Sequence, residues 1–282
     1  MAATLTLHLG SGYQNYQNPN VLNRAGSQTA KPGNQVLPNG PNYAWGNVGN
    51  TGSDAAPQAT ISFYFCTPGG AVDKWKYFLN NLIGIVPVNV PANDTTGQPV
   101  TCPDVWAPNS TAHTCMIAVV QAPNDPLPPG FMDPETTPQI GDRRVGQQNL
   151  LMASMAAGTT QAVAFRAPET AGSTLRVTQG GTDGGAMPAM ASADAGEGAA
   201  AVEFGLLPGL RRDAGDVARP LARAEAAGTV RSLTVGEGEE GFRELWLHVP
   251  EDARPGSTAF LRIEAVQADR VVGGLAVLVR VE

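Results

Sequence analysis

Two immunoglobulin-like antiparallel β-sandwich domains, preceded by a turn-rich N-terminal segment, are the all-β architecture that this 282-residue chain predicts. Three observations carry that expectation. Runs rich in β-branched and aromatic residues, such as Ile61-Ser62-Phe63-Tyr64-Phe65-Cys66 and Cys115-Met116-Ile117-Ala118-Val119-Val120, are separated by turn residues, the pattern of strands packed in a sandwich. Glycine (33) and proline (23) are plentiful while charged residues make up 15%, a balance that suits turns better than long helices. Composition also changes near residue 152. Every asparagine, all three lysines and all three cysteines precede it, and twelve arginines without a lysine follow it. The chain therefore reads as an N-terminal segment over 1–34, one domain over 35–152 and a second β-sandwich over 153–282.

Leu5, Leu7 and Leu9 alternate at period two and predict a short strand. Asn, Gln, Gly and Pro then dominate to about residue 57, so turns are expected there, apart from a strand over 43–48. The run Ala71 to Leu79 reads as a helical turn or an irregular strand, and period does not settle which. Residues 83–88 are extended, because β-branched residues dominate and Pro87 forbids a continuing helix. In the second half, strands are predicted over 161–166, 173–178, 201–206, 244–249, 258–266 and 273–281. The small-residue stretch 180–200 reads as a mobile loop, and 216–228 as a short helix limited by Pro220.

With these elements placed, Asn47-Val48-Gly49-Asn50-Thr51-Gly52 followed by Ala56 to Tyr64 resembles the opening strand and turn of bacterial CARDB-like immunoglobulin-like domains. His113 to Val120 is similar to their later core strand, and Asp125-Pro126 with Asp142 to Leu150 to the returning final strand. The resemblance covers about 35–152. The family's usual Asn-Asn is replaced here by Asp142-Arg143-Arg144-Val145. The second half resembles an immunoglobulin-like domain in pattern alone.

Charge excludes some functions. A net charge of -7 supplies no extended basic surface, so nucleic acid is not an expected partner. No apolar run approaches the roughly 20 residues that span a bilayer. Residues 1–10 lack the charged start and apolar core of a secretory signal, which leaves the address open between the cytoplasm and export as part of an assembly.

Catalytic patterns are sparse. Cys115 with His113 two residues away is the nearest approach to a nucleophile and its base, yet Cys66 and Cys115 both read better as buried thiols at strand ends. A Cys102 to Cys115 bridge is the alternative. Asp125, Asp133, Glu135 and Asp142 offer oxygen ligands to calcium, solvated loop acids being their ordinary reading. The sequons at Asn93 and Asn109 read as chance, 236–241 as a solvent-facing acidic turn, and Met187 and Met190 as parts of an ordinary loop.

The expected function is that of a non-catalytic structural or interaction protein, a subunit or accessory of a larger assembly, with protein partners and self-association in view. Tyr43 and Trp45 would pack on the sandwich or on a neighbouring subunit. The alternative is an extracellular adhesin or carbohydrate-binding module, in which Trp45, Trp75 and Trp106 present ring faces to sugars, core packing being their ordinary role.

Overall fold

The computed structural model describes residues 2–10, 18–33, 36–37, 40–67, 69–70, 73–107, 114–149, 151–166, 172–180, 202–211, 218–220, 231–236 and 241–282. Several sequence expectations lie outside these residues: His113, the sequon at Asn109, the stretch 181–200 with its two methionines, and the acidic residues 237–240. The fold is all-β, with one short helix among the described residues. It divides into two compact units. The first comprises Met1–Cys66, Lys74–Asn109 and Cys115–Gln148, and the second Thr67–Asp73, Ser110–Thr114 and Asn149–Glu282.

In the first unit, one sheet contains β1 (Leu5–Thr6), β2 (Val21–Ala25), β3 (Asn42–Asn50) and β6 (Asp94–Trp106), with β3 at its centre. The other runs β5-β4-β7-β8, built from β4 (Ala56–Cys66), β5 (Leu82–Val90), β7 (Cys115–Gln121) and β8 (Val145–Asn149). The two sheets close on each other through glycine. A Cβ on Gly46 would lie 2.5 Å from Ile61 Cδ1 and 3.2 Å from Phe63 Cζ, so a side chain at this crossing of β3 over β4 would have to displace the end of Ile61. That contact also assigns the faces. Even-numbered β3 residues from Asn42 to Val48 point inward with Ile61 and Phe63, while Tyr43, Trp45 and Asn47 point out, because side chains alternate along a strand.

β7 is buried from Cys115 through Val120, which one sheet face alone would not explain. Phe65, Phe63 and Ile61 stand opposite Met116, Ala118 and Val120, and this set meets the facing sheet. On the other side, Cys66, Cys115, Ile117 and Val119 join Trp75, Phe78, Phe131 and Val145 in a second cluster. Its cover consists of α1 (Lys76–Leu79) and the segment after β7, tied together by Trp75 N–H to the Thr136 carbonyl at 2.9 Å and Lys76 N–H to the Pro134 carbonyl at 3.0 Å. Among the described residues of 71–79 the helical alternative is realised at Lys76–Leu79, over a single turn.

In the second unit, one sheet runs β12-β15-β10-β13, with β10 (Thr160–Arg166), β12 (Glu203–Arg211), β13 (Ala218–Pro220) and β15 (Phe242–His248). The other runs β14-β11-β16-β17-β9, with β9 (Leu151–Met155), β11 (Thr174–Gly180), β14 (Ser232–Thr234), β16 (Thr258–Gln267) and β17 (Arg270–Val281). Both sheets contribute to one core that includes Phe165, Leu245, Leu247, Leu261, Ile263, Val277 and Val279. One pairing departs from the antiparallel expectation, since β9 runs parallel to β17, Leu151 beside Val277. The expected helix over 216–228 is corrected at its described part. Ala218–Pro220 is a strand paired with Gln161 to Val163, and Pro220 fits there because it ends an edge strand.

Candidate functional site

The four tryptophan and tyrosine candidates separate into two classes. Trp75 is 0% exposed and packs edge-on against Tyr64 and Phe78, with ring centroids 6.3 and 6.2 Å away. Trp106 is 4% exposed, lies 5.1 Å from the Phe65 ring and donates its indole N–H to Asn23 Oδ1 at 3.2 Å. Neither ring has a face to offer a sugar, and both are corrected from candidate ligand platforms to core. Tyr43 and Trp45 are half-buried and point out from β3. Tyr43 has Arg24 opposite it on β2 and Val105 opposite it on β6, whereas Trp45 has Leu22 and Thr101. The structure therefore brings Tyr43, Trp45 and Val105 to one outer face.

The four acids do not converge. Asp125 receives two bonds from Arg143, Nη1 to Oδ2 at 2.7 Å and Nη2 to Oδ1 at 2.8 Å, and also accepts the Leu5 N–H at 2.8 Å. Asp142 takes the corresponding fork from Arg144, at 3.0 and 2.9 Å, plus the Arg144 N–H at 2.9 Å. Hydrogen bonding from Arg144 holds its carboxyl below the usual carboxylate range. Asp133 Oδ1 accepts the Glu135 N–H at 2.9 Å, while Glu135 faces Lys74 at 3.3 Å and Lys76 at 3.6 Å. These carboxylates secure the cover over the second cluster. The charges of Asp125, Asp142 and Glu135 are matched by Arg143, Arg144 and Lys74, and no group of three or more His, Cys, Asp or Glu side chains assembles among the described residues. The donor set does not fit a calcium ion, whose sites gather six to eight oxygens, and the calcium expectation is corrected accordingly.

The residues that sequence reasoning did not select are apolar and exposed. Among the described residues, large hydrophobic side chains stand out at six positions, and three of them, Leu82 (47%), Ile85 (54%) and Val105 (57%), lie on β5 and β6. β5 ends its sheet, and β6 pairs within its sheet to β3 alone. A three-residue turn joins these strands, and the position of a Gly84 Cβ would be 2.6 Å from Cys102 Sγ and 2.3 Å from Asp104 Oδ2, so they run side by side along one edge of the sandwich. The signal was present in the sequence as the apolar run 82–88.

No family model matches the chain, and no curated protein matches it. Among solved structures the chain is similar to the CARDB domain of a Pyrococcus furiosus protein, crystallised in complex with di-metal ions, at 12% identity and a TM-score of 0.29, covering 53% of this chain and 93% of that one. A solution structure of the same domain aligns at 12% identity and a TM-score of 0.27, over 47% and 93%. Red sea bream transglutaminase aligns at 9% identity and a TM-score of 0.22, over 99% of this chain and 31% of that one. The first two belong to the family that residues 35–152 resemble.

Proposed function

We propose that this chain is a non-catalytic structural or interaction protein that works as a subunit or accessory of a larger assembly, with the β5–β6 edge of its first unit as the contact. The observation that carries the reading is that the two strands bordering this edge expose large apolar side chains, Leu82 and Ile85 on β5 and Val105 on β6, on the outer faces of their two sheets. An edge strand presents backbone donors and acceptors to a strand of another chain, and exposed apolar side chains beside it add burial on contact. Tyr43, opposite Val105, extends the surface onto the outer face of the β3 sheet. Pro87 on β5 removes one donor, which restricts the registers that an added strand can take.

The contact is tested by sedimentation velocity over a wide concentration range, together with recovery of partners from an extract of the source. Ile85→Lys combined with Val105→Lys serves as the disruptive variant. Self-association, or a captured partner, that weakens at least about tenfold in this variant supports the reading. A strict monomer at every concentration with no recovered partner overturns it, as does association that the variant leaves unchanged.

A further inference from the structure

The three cysteines are thiols in the structure, and all three are buried. Cys66 and Cys115 occupy one rung of the β4–β7 ladder, directly opposite each other. Residues opposed across antiparallel strands project to the same face, and both side chains belong to the same packed cluster, 2% and 0% exposed. Opposed Cα atoms in such ladders are about 4.5 or 5.5 Å apart, depending on the pair type, and either distance falls inside the roughly 4.4–6.8 Å span that disulfides bridge. Cys102 is placed differently. It lies on β6 in the other sheet, beside Gly84 and the Asp104 carboxylate, so the bridge from Cys102 to Cys115 weighed from the sequence is not the pairing that the strands favour.

We propose that Cys66 and Cys115 form an intramolecular cross-strand disulfide when the chain meets a small-molecule disulfide. Cys115, whose Sγ accepts from Gln147 Nε2 at 3.8 Å, is taken as the attacking sulfur. Its thiolate displaces one thiolate from the reagent and forms a mixed disulfide. The Cys66 thiolate then attacks the Cys115 sulfur, the protein disulfide forms and the second reagent thiolate leaves. Two electrons pass to the reagent, and the protons given up by Cys66 and Cys115 end on its two thiols. Both cysteines stand at strand termini, Cys66 the last residue of β4 and Cys115 the first of β7, where local opening comes more readily than at mid-strand. The chain leaves the first unit after Cys66, returns to it over Lys74–Asn109 and re-enters it a second time at Cys115. The bond closes a loop that contains both β5 and β6, and this constraint lowers the entropy of the unfolded chain.

The full chain is treated with oxidised glutathione, both natively and during refolding from urea, then alkylated under denaturing conditions and digested with trypsin without reduction. Lys74 and Lys76 part Cys66 from the other two cysteines, and a second digestion with Asp-N cuts before Asp104, between Cys102 and Cys115, so each cysteine lies on its own peptide. The expected result is a Cys66–Cys115 linked peptide pair, Cys102 fully alkylated, and a Tm raised by several degrees that returns on reduction. Cys66→Ser yields no intramolecular link under the same treatment, and Cys102→Ala retains it. A link through Cys102, or three alkylated thiols after both treatments, overturns the assignment.

Discussion

Arg143 holds Asp125 by a two-pronged fork, Nη1 to Oδ2 at 2.7 Å and Nη2 to Oδ1 at 2.8 Å, and the same Nη1 also donates to the Leu5 carbonyl. Asp125 in turn accepts the Leu5 N–H, and Leu7 N–H reaches the Arg143 carbonyl at 2.7 Å. One ion pair thus satisfies both polar groups of an N-terminal residue that hydrophobicity alone would bury without partners.

Removing the carboxylate leaves the Leu5 amide without its acceptor, while the Arg143 guanidinium, partly exposed, keeps the Leu5 carbonyl. Asp125→Ala is expected to lower stability by about 1–3 kcal/mol, and Asp125→Asn by less, because the amide oxygen still accepts the Leu5 N–H. Urea unfolding followed by tryptophan fluorescence measures both. Chelation by EDTA is expected to leave the midpoint of the native chain unmoved, since the charge on Asp125 is answered by Arg143. A calcium-dependent shift that Asp125→Asn abolishes would contradict this assignment.

Stability is expected to fall in two steps as pH is lowered. Burial holds the His8 pKa below its ordinary 6.5, outweighing the Val145 carbonyl and Asp142, which act the other way. The neutral ring donates Nε2–H to Val145 at 2.8 Å. A depressed folded-state pKa contributes stability above about pH 6.5 and loses it as pH falls through the folded value. Asp142, held low chiefly by Arg144, contributes above about pH 4 and loses its contribution below that. Urea midpoints measured from pH 8 to pH 3 should show both declines. His8→Gln should remove the first while leaving the second, and Asp142→Asn should flatten the second.

The hairpin from β16 to β17 turns on two non-glycine residues in the left-handed region, Ala268 at φ 48° and Asp269 at φ 60°. Two successive positive values are those of a tight primed turn, which Asn-Gly fills with least strain. Ala268→Asn with Asp269→Gly is therefore expected to stabilise the chain by about 1 kcal/mol. Differential scanning calorimetry should record a rise in Tm of several degrees.

The same hairpin shows where the sequence was readable. Residues 258–266 and 273–281 carried an apolar rhythm strong enough to mark both strands, but Ala268-Asp269 lacks the glycine that announces a two-residue turn, so β17 begins three residues earlier than its pattern did. Val21 to Ala25 was hidden within a polar, turn-rich stretch, where Asn18 and Asn20 donate to the backbone carbonyls of Leu7 and Leu9 and Asn23 donates to the Asn42 side chain at 2.8 Å. β6 was missed over its full length, since Thr95, Gly97, Pro99 and Pro103 break any period. At the candidate site, Tyr43 and Trp45 were chosen for residue type and do share an outer face. Trp75 and Trp106 were chosen on the same ground, and tertiary packing buries them. The acids of 125–142 looked like ligands because their arginine and lysine partners come from distances of up to 61 residues, or from adjacent positions whose direction a sequence does not show.

Trp75 and Trp45 separate core from surface in one experiment. Trp75 fills the cluster beneath α1, touching Tyr64 and Phe78 at ring-to-ring distances of 6.3 and 6.2 Å. Truncating a fully buried indole removes its transfer free energy and leaves a cavity that the sheet cannot collapse into, so Trp75→Ala is expected to cost roughly 3–5 kcal/mol. Trp45 stands half-buried on the opposite sheet with its outer side toward solvent, and Trp45→Ala should cost less than half as much. Denaturant titration of both variants supplies the comparison. If Trp45→Ala instead proves the more damaging, or if Trp75→Ala leaves the midpoint unchanged, the cover formed by α1 and the segment after β7 is not part of the cooperative fold. The expected order would mean that the second cluster unfolds together with the sandwich, and that of the aromatic candidates only Tyr43 and Trp45 remain on a face where a partner can reach them.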